Sequence, residues 1–131
     1  MNVDIRPDPL KAGFFIVTPK SPIDSDTYIE FQAKLYPVLQ KTTRGVIVDL
    51  KDVDYISSAG LGVLFAAKKF LIGNGGELLF CNLKPQIKRL FDIVKALPKE
   101  SLFESVEEAD RYFYKIMNDE IDKQRQNKPK P

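Results

Sequence analysis

Short apolar runs alternate along this chain with longer segments in which apolar side chains recur every three or four residues. Phe14-Phe15-Ile16-Val17, between Gly13 and Pro19, reads as a strand. Val3 to Ile5 reads as a weaker strand able to pair with it across the turn Pro9 to Gly13. Val46-Ile47-Val48-Asp49-Leu50 is nearly continuous in apolar character, the pattern of a central strand covered on both faces. Glu77 to Cys81 is another strand, and Ser101 to Phe103 a short last one. Between these runs the period changes. Tyr28, Phe31, Leu35, Val38 and Leu39 share one helical face; Ser25 or Asp26 can cap that helix, and Pro37 should kink or shorten it. A second helix is predicted from Ser58 to Ile72, stopped by Gly73-Asn74-Gly75-Gly76. Pro85 suits the first turn of a third, whose stripe is Ile87, Leu90, Phe91 and Val94, with Pro98 beyond its end. Ser105 and Glu108 form a capping box for a fourth, lined by Ala109, Tyr112, Phe113, Ile116 and Met117.

Strand-helix-strand crossovers imply neighbouring parallel strands. The prediction is an α/β fold: a mixed sheet of about five strands, its core parallel, with about four helices. Binding sites in such sheets lie beyond the carboxyl ends of the strands, and the loop after Leu50 is one of those ends. A length of 131 residues suits one domain with one core. Residues 1–117 are expected to form that domain and 118–131 the end of the last helix and a polar tail; Lys123 to Pro131, rich in Lys, Gln and Pro, is expected to be disordered.

Composition removes several functions. The formal net charge is +2, which supplies no general attraction to nucleic acid. There is no histidine, so Ser-His and Cys-His chemistry is excluded, as are most zinc and non-haem iron sites. The single cysteine, Cys81, lies in an apolar run and reads as a buried structural thiol. Asp52 and Asp54 read as a solvated turn rather than an acid/base pair, and Gly73-Asn74-Gly75-Gly76 follows a helix, unlike a phosphate-binding fingerprint. No catalytic residue, metal or cofactor is expected, and the chain does not read as an enzyme. No apolar stretch approaches the roughly 20 residues that span a bilayer. Asp4, Arg6, Pro7, Asp8 and Pro9 stand where a signal peptide would be apolar, so a cytoplasmic location without membrane insertion is expected.

One segment remains: Asp54-Tyr55-Ile56-Ser57-Ser58-Ala59-Gly60-Leu61-Gly62-Val63-Leu64. Two serines stand where a strand end meets a helix start, and their hydroxyls can cap free first-turn amides. Gly60 and Gly62 cost a helix about 1 kcal/mol each against Ala, tolerable if another chain or a phosphate approaches the backbone there. From Ala59 to Ala67 no residue is charged. Either this helix is buried on both sides or it presents an apolar docking face.

With Val46-Ile47-Val48-Asp49-Leu50 before it, and Gly75-Gly76-Glu77-Leu78 and Lys88-Arg89-Leu90-Phe91-Asp92 after it, this segment resembles the STAS family, the domain shared by sulfate transporters and anti-sigma factor antagonists. The blocks match in order and spacing over roughly Val3 to Phe113. The resemblance implies an anti-sigma factor antagonist acting as a phosphorylation-controlled interaction switch. Its unphosphorylated form would bind an anti-sigma factor that is a serine kinase, so that a sigma factor is freed; the kinase, using ATP, would phosphorylate it, and a serine phosphatase would reverse the reaction. Alignment on Gly60-Leu61-Gly62 puts Ser58 at the phosphorylated position, with Ser57 the alternative acceptor. It implies a partner-binding surface of Asp24, Ser57, Ser58, Ala59, Gly60, Leu61 and Gly62. Two positions depart from the best-studied pattern: Ser57 replaces an Asp, and Ser21-Pro22 replaces a Gly. A second use of such domains, as accessory subunit of a lipid or solute ABC transporter, employs much the same helix face.

Overall fold

The computed structural model describes residues 1–94, 102–113 and 115. Among the described residues five strands form one sheet: β1 (Val3–Pro7), β2 (Phe14–Pro19), β3 (Gly45–Asp49), β4 (Glu77–Cys81) and β5 (Leu102–Phe103). Their spatial order equals their chain order. The β1–β2 pair is antiparallel, with Ile5 opposite Val17; every other pairing is parallel, with Val17 beside Val48, Val48 beside Phe80, and Phe80 beside Leu102. The parallel steps are bridged by α1 (Tyr28–Leu35), α2 (Ser58–Gly73) and α3 (Pro85–Val94); α1 runs into a 3-10 turn, Tyr36–Val38, and a fourth helix, α4, covers 106–113. The expected fold class is what the chain adopts.

Side chains alternate across a strand, and the burial follows. Val17, Val46, Val48, Leu78 and Phe80 share a core with Phe31, Leu35, Leu61, Leu64, Leu71, Ile87 and Phe91 from α1, α2 and α3. Their neighbours Ile16, Ile47, Leu79 and Cys81 pack instead with Ala109 and Phe113 of α4. Three helices therefore cover one face and α4 the other, which explains why β3 and β4 are apolar at nearly every position. Phe14 meets Phe113 edge to face with ring centres 5.1 Å apart, and on the opposite face Phe80 meets Phe91 at 5.2 Å. Lys11, buried in the β1–β2 turn, is ion-paired to Asp110 of α4. Cys81 is buried, and burial pushes its thiol up to about 12, with the nearby Asp49 carboxylate adding to the effect.

Pro37 acts as expected: α1 ends at Leu35 and the proline stands in the 3-10 turn, where its missing N–H costs nothing. Gly75, at a positive φ of 79°, and Gly76, whose amide donates to Leu71 O at 2.7 Å, end α2. The box at α4 forms with one change. Ser105 Oγ accepts from the Glu108 amide at 3.1 Å, but the Glu108 carboxylate accepts from Glu104 rather than from Ser105. The side chain of Val94, and Pro98, Ile116, Met117, the domain limit at 117 and the tail, lie outside the described residues.

Candidate functional site

The carboxyl ends of β2 and β3 release two loops that are sewn together. Ile23 of the first and Ile56 of the second form a parallel bridge. The Ile23 amide donates to Tyr55 O at 3.0 Å, and the Ser57 amide donates to Ile23 O at 2.8 Å. Ile23 is fully buried and Ile56 nearly so. Ile23 is a lone apolar residue in a polar stretch, Ser21-Pro22-Ile23-Asp24, so its sequence signal was present but faint. This bridge brings Asp24 beside the serine pair, a proximity the sequence offered only through resemblance.

The two serines divide their work. Ser57 is the N-cap of α2: its backbone is extended, and its Oγ accepts from the Gly60 amide at 3.1 Å. Ser58 is the first helical residue and is exposed. Among the described residues its hydroxyl has no hydrogen-bond partner. Ser57 is only half-exposed, so the residue best placed for another molecule to reach is Ser58.

Asp24 organises the entry to α1, a task expected of Ser25 or Asp26. Its Oδ1 accepts from the amides of Asp26 at 2.8 Å and Thr27 at 2.9 Å, while Thr27 Oγ1 accepts from the Asp24 amide at 2.9 Å. Ser25 and Asp26 are exposed within that turn. The correction has a physical reason: Thr27 three residues on completes a reciprocal box with Asp24. The Asp26 amide holds the Asp24 carboxyl below the ordinary aspartate range; burial opposes it, and the Thr27 amide and hydroxyl add to the lowering.

The two glycines also differ. A Cβ on Gly60 would stand 2.8 Å from both Ile23 Cγ2 and Ile23 O, and 3.0 Å from Ile56 Cγ2. The close approach that requires Gly60 is thus made by the chain's own loop, not by a visiting molecule. Gly62 has no atom within 4 Å of such a Cβ and is exposed. Along α2, Gly60, Leu61, Val63, Leu64 and Ala67 face inward, while Ser58, Gly62, Ala66 and Phe70 are exposed. The helix is therefore not buried on both sides; an uncharged outer stripe runs from Ser58 to Ala66. Near its far end Tyr36, Leu39, Ala66 and Phe70 line a shallow apolar groove. Lys68, just past the uncharged stretch of α2, is buried, donating to Glu77 Oε1 at 3.1 Å and Leu78 O at 3.0 Å, and no feature of the sequence pointed to it.

Leu61, expected on the partner-binding surface, is buried in the core instead, because it falls on the inward face of α2. Tyr55, not expected there, is 57% exposed two residues before Ser57.

A model of the STAS domain matches residues 5–109. BtrV of Bordetella bronchiseptica, a candidate anti-sigma factor antagonist, is 37% identical over 81 residues, covering 62% of this chain and 70% of BtrV. An anti-sigma-B factor antagonist of Staphylococcus aureus is 35% identical over 93 residues, covering 71% of this chain and 85% of the relative. Among solved structures, the anti-sigma factor antagonist SpoIIAA in its unphosphorylated form superposes with a TM-score of 0.64 at 16% identity, covering 83% of this chain and 97% of SpoIIAA. The phosphorylated form of SpoIIAA, from Bacillus, gives 0.65 at the same identity, covering 83% and 99%. These last two likenesses are of fold. Among the described residues no helix is long and apolar enough to cross a membrane.

Proposed function

The chain belongs to the STAS domain family, and from that premise we propose that it is an anti-sigma factor antagonist whose partner choice is set by phosphorylation of Ser58. Unphosphorylated, it binds an anti-sigma factor that is also a serine kinase, and a sigma factor is freed; phosphorylated, it lets go. The observation that carries the reading is the division of labour between the serines: Ser57 Oγ is committed to the Gly60 amide, while the Ser58 hydroxyl stands exposed at the head of an uncharged helix face. That phosphorylated and unphosphorylated forms of the fold relative SpoIIAA have both been solved supports it.

In the step itself, Ser58 Oγ forms an ester bond to the γ-phosphorus of ATP held by the kinase. The bond from that phosphorus to ADP breaks, and the hydroxyl proton passes to a base on the kinase. A phosphatase hydrolyses the ester with water and returns the hydroxyl. The chain contributes an accessible acceptor and a surface, without a cofactor of its own. The new group carries a charge of about −1.5 to −2, placed within a face that binds partly because it has none. It must be desolvated on docking, and any acidic group opposite it costs several kcal/mol. Since each 1.4 kcal/mol is tenfold in affinity, roughly 3 kcal/mol reduces binding by about a hundredfold.

The test is binding of purified anti-sigma factor serine kinases of the same organism to wild type, Ser58→Ala, Ser58→Asp and Ser57→Ala, together with mass spectrometry after incubation with ATP. The expected phosphate is on Ser58 in wild type and in Ser57→Ala, and absent in Ser58→Ala, with Ser58→Asp losing binding. Phosphate on Ser57 alone, or undiminished binding by Ser58→Asp, would refute the proposal.

A further inference from the structure

Five large apolar or aromatic side chains are exposed among the described residues: Leu10, Ile29, Tyr55, Phe70 and Ile72. Only Tyr55 stands on the loop that carries the serine pair. Its flanking apolar neighbours Val53 and Ile56 are buried, so the loop has inward places for apolar groups and leaves this ring out of them. We infer that Tyr55 is the aromatic anchor by which the anti-sigma factor is seated beside Ser58, a claim that rests on the function proposed above.

The geometry supports it in two ways. First, the backbone under the ring is already fixed. Tyr55 O accepts from the Ile23 amide at 3.0 Å, Ile56 is bridged to Ile23, and Asp54 O accepts from Gln86 Nε2 at 3.4 Å. Docking therefore orders only the two side-chain torsions of the tyrosine, and little conformational freedom is lost. Second, successive side chains in an extended bridge alternate. Ile56 is buried in the core, Tyr55 and Ser57 on either side of it in the chain are exposed and half-exposed, and Ser58 next to Ser57 is exposed. An exposed, rigidly mounted tyrosine next to an uncharged helix face has the character of an interface hot spot. The partner surface that fits it is an apolar cleft with a polar group at its floor to meet the phenol. Such an anchor grips irrespective of the phosphate, so it sets how long the kinase stays while the Ser58 hydroxyl is presented to ATP.

The experiment compares wild type, Tyr55→Ala, Tyr55→Phe and Ser58→Asp for binding to the same purified kinases, and follows labelling of the first three with ATP. Tyr55→Ala should weaken binding at least about tenfold and raise the KM for labelling more than it lowers kcat. Its unfolding midpoint in urea should stay at the wild-type value, because the ring is exposed. Tyr55→Phe should recover part of the lost affinity, because it restores the ring contact but not the hydrogen bond of the phenol. Binding of Tyr55→Ala within twofold of wild type, with Ser58→Asp clearly weakened, overturns the anchor and leaves the switch standing. Undiminished binding of Ser58→Asp, or no kinase bound by wild type, overturns both.

Discussion

Gly60 and Gly62 look interchangeable in the sequence: both are poor helix formers in the same uncharged turn. The structure separates them by what lies opposite. Gly60 is pressed against the carbonyl and a methyl of Ile23, 37 positions earlier in the chain, and no local pattern encodes a contact of that separation. Gly62 faces open space. Opposite signs follow. Gly62→Ala should stabilise the protein by about 0.5–1 kcal/mol, the helix penalty of glycine. Gly60→Ala should destabilise it by about 1–3 kcal/mol, because one of the two closest atoms is backbone and cannot rotate away. That displacement also pries the Asp24 loop from the Ser58 turn, so Gly60→Ala should be labelled by the kinase more slowly than wild type. Urea unfolding checks the first two outcomes; equal stability of the two variants would mean that the Ile23 contact is not tight. The serine pair was legible as a helix start, but which hydroxyl is spent on the cap and which is left outside is decided by the turn's geometry.

At the scale of elements, strands and helices were read from periodicity with small shifts at their ends, because apolar runs and breakers such as Pro37 and Gly75 act locally. The entry to α1 was not, since Ser25, Asp26 and Asp24 are all good capping residues and Thr27 selects among them through a reciprocal bond. That selection leaves a pH signature. Held by the Asp26 and Thr27 amides, the Asp24 carboxyl titrates lower in the folded state than in the unfolded chain. A group of this kind adds stability above its unfolded pKa, and the contribution is lost as pH falls through the folded one. Asparagine can accept the same two amide bonds but does not titrate. The stability of wild type relative to Asp24→Asn should therefore be greatest at neutral pH and shrink on acidification below about pH 4. Urea unfolding at a series of pH values measures it; a difference constant from neutrality to strong acid would show that the capping carboxylate is not the titrating group. The uncharged stretch of α2 was legible as unusual, and the fold excludes burial on both sides: one side buries Leu61, Leu64 and Leu71, the other stays outside.

For the whole molecule, alternation of strands and helices indicated a parallel core, but the coverage of both sheet faces was visible only as the unbroken apolar character of β3 and β4. Three helices on one side and α4 on the other give the sheet a rigid, two-sided core, and the loops bearing Asp24 and Ser58 are bridged to each other at its rim. A switch mounted on such a frame need not change the frame. A phosphate on Ser58 lies at a helix N-terminus, where the dipole favours an anion by roughly 0.3–1 kcal/mol, and Ser58 is exposed, so no core contact has to be broken. Phosphorylated protein should therefore unfold at a urea concentration equal to or slightly above that of the unmodified protein, with the same slope, and should give the same far-ultraviolet circular dichroism. Its affinity for the anti-sigma factor should fall by two orders of magnitude or more. Added salt should restore part of that loss if repulsion between charges is responsible, since screening acts on exposed charges within about 10 Å at 0.1 M. It should restore none if desolvation dominates. A marked drop in stability on phosphorylation would instead locate the switch in the fold, because the modification would then have to reach past Ser58 to the Ile23–Ile56 bridge beneath it.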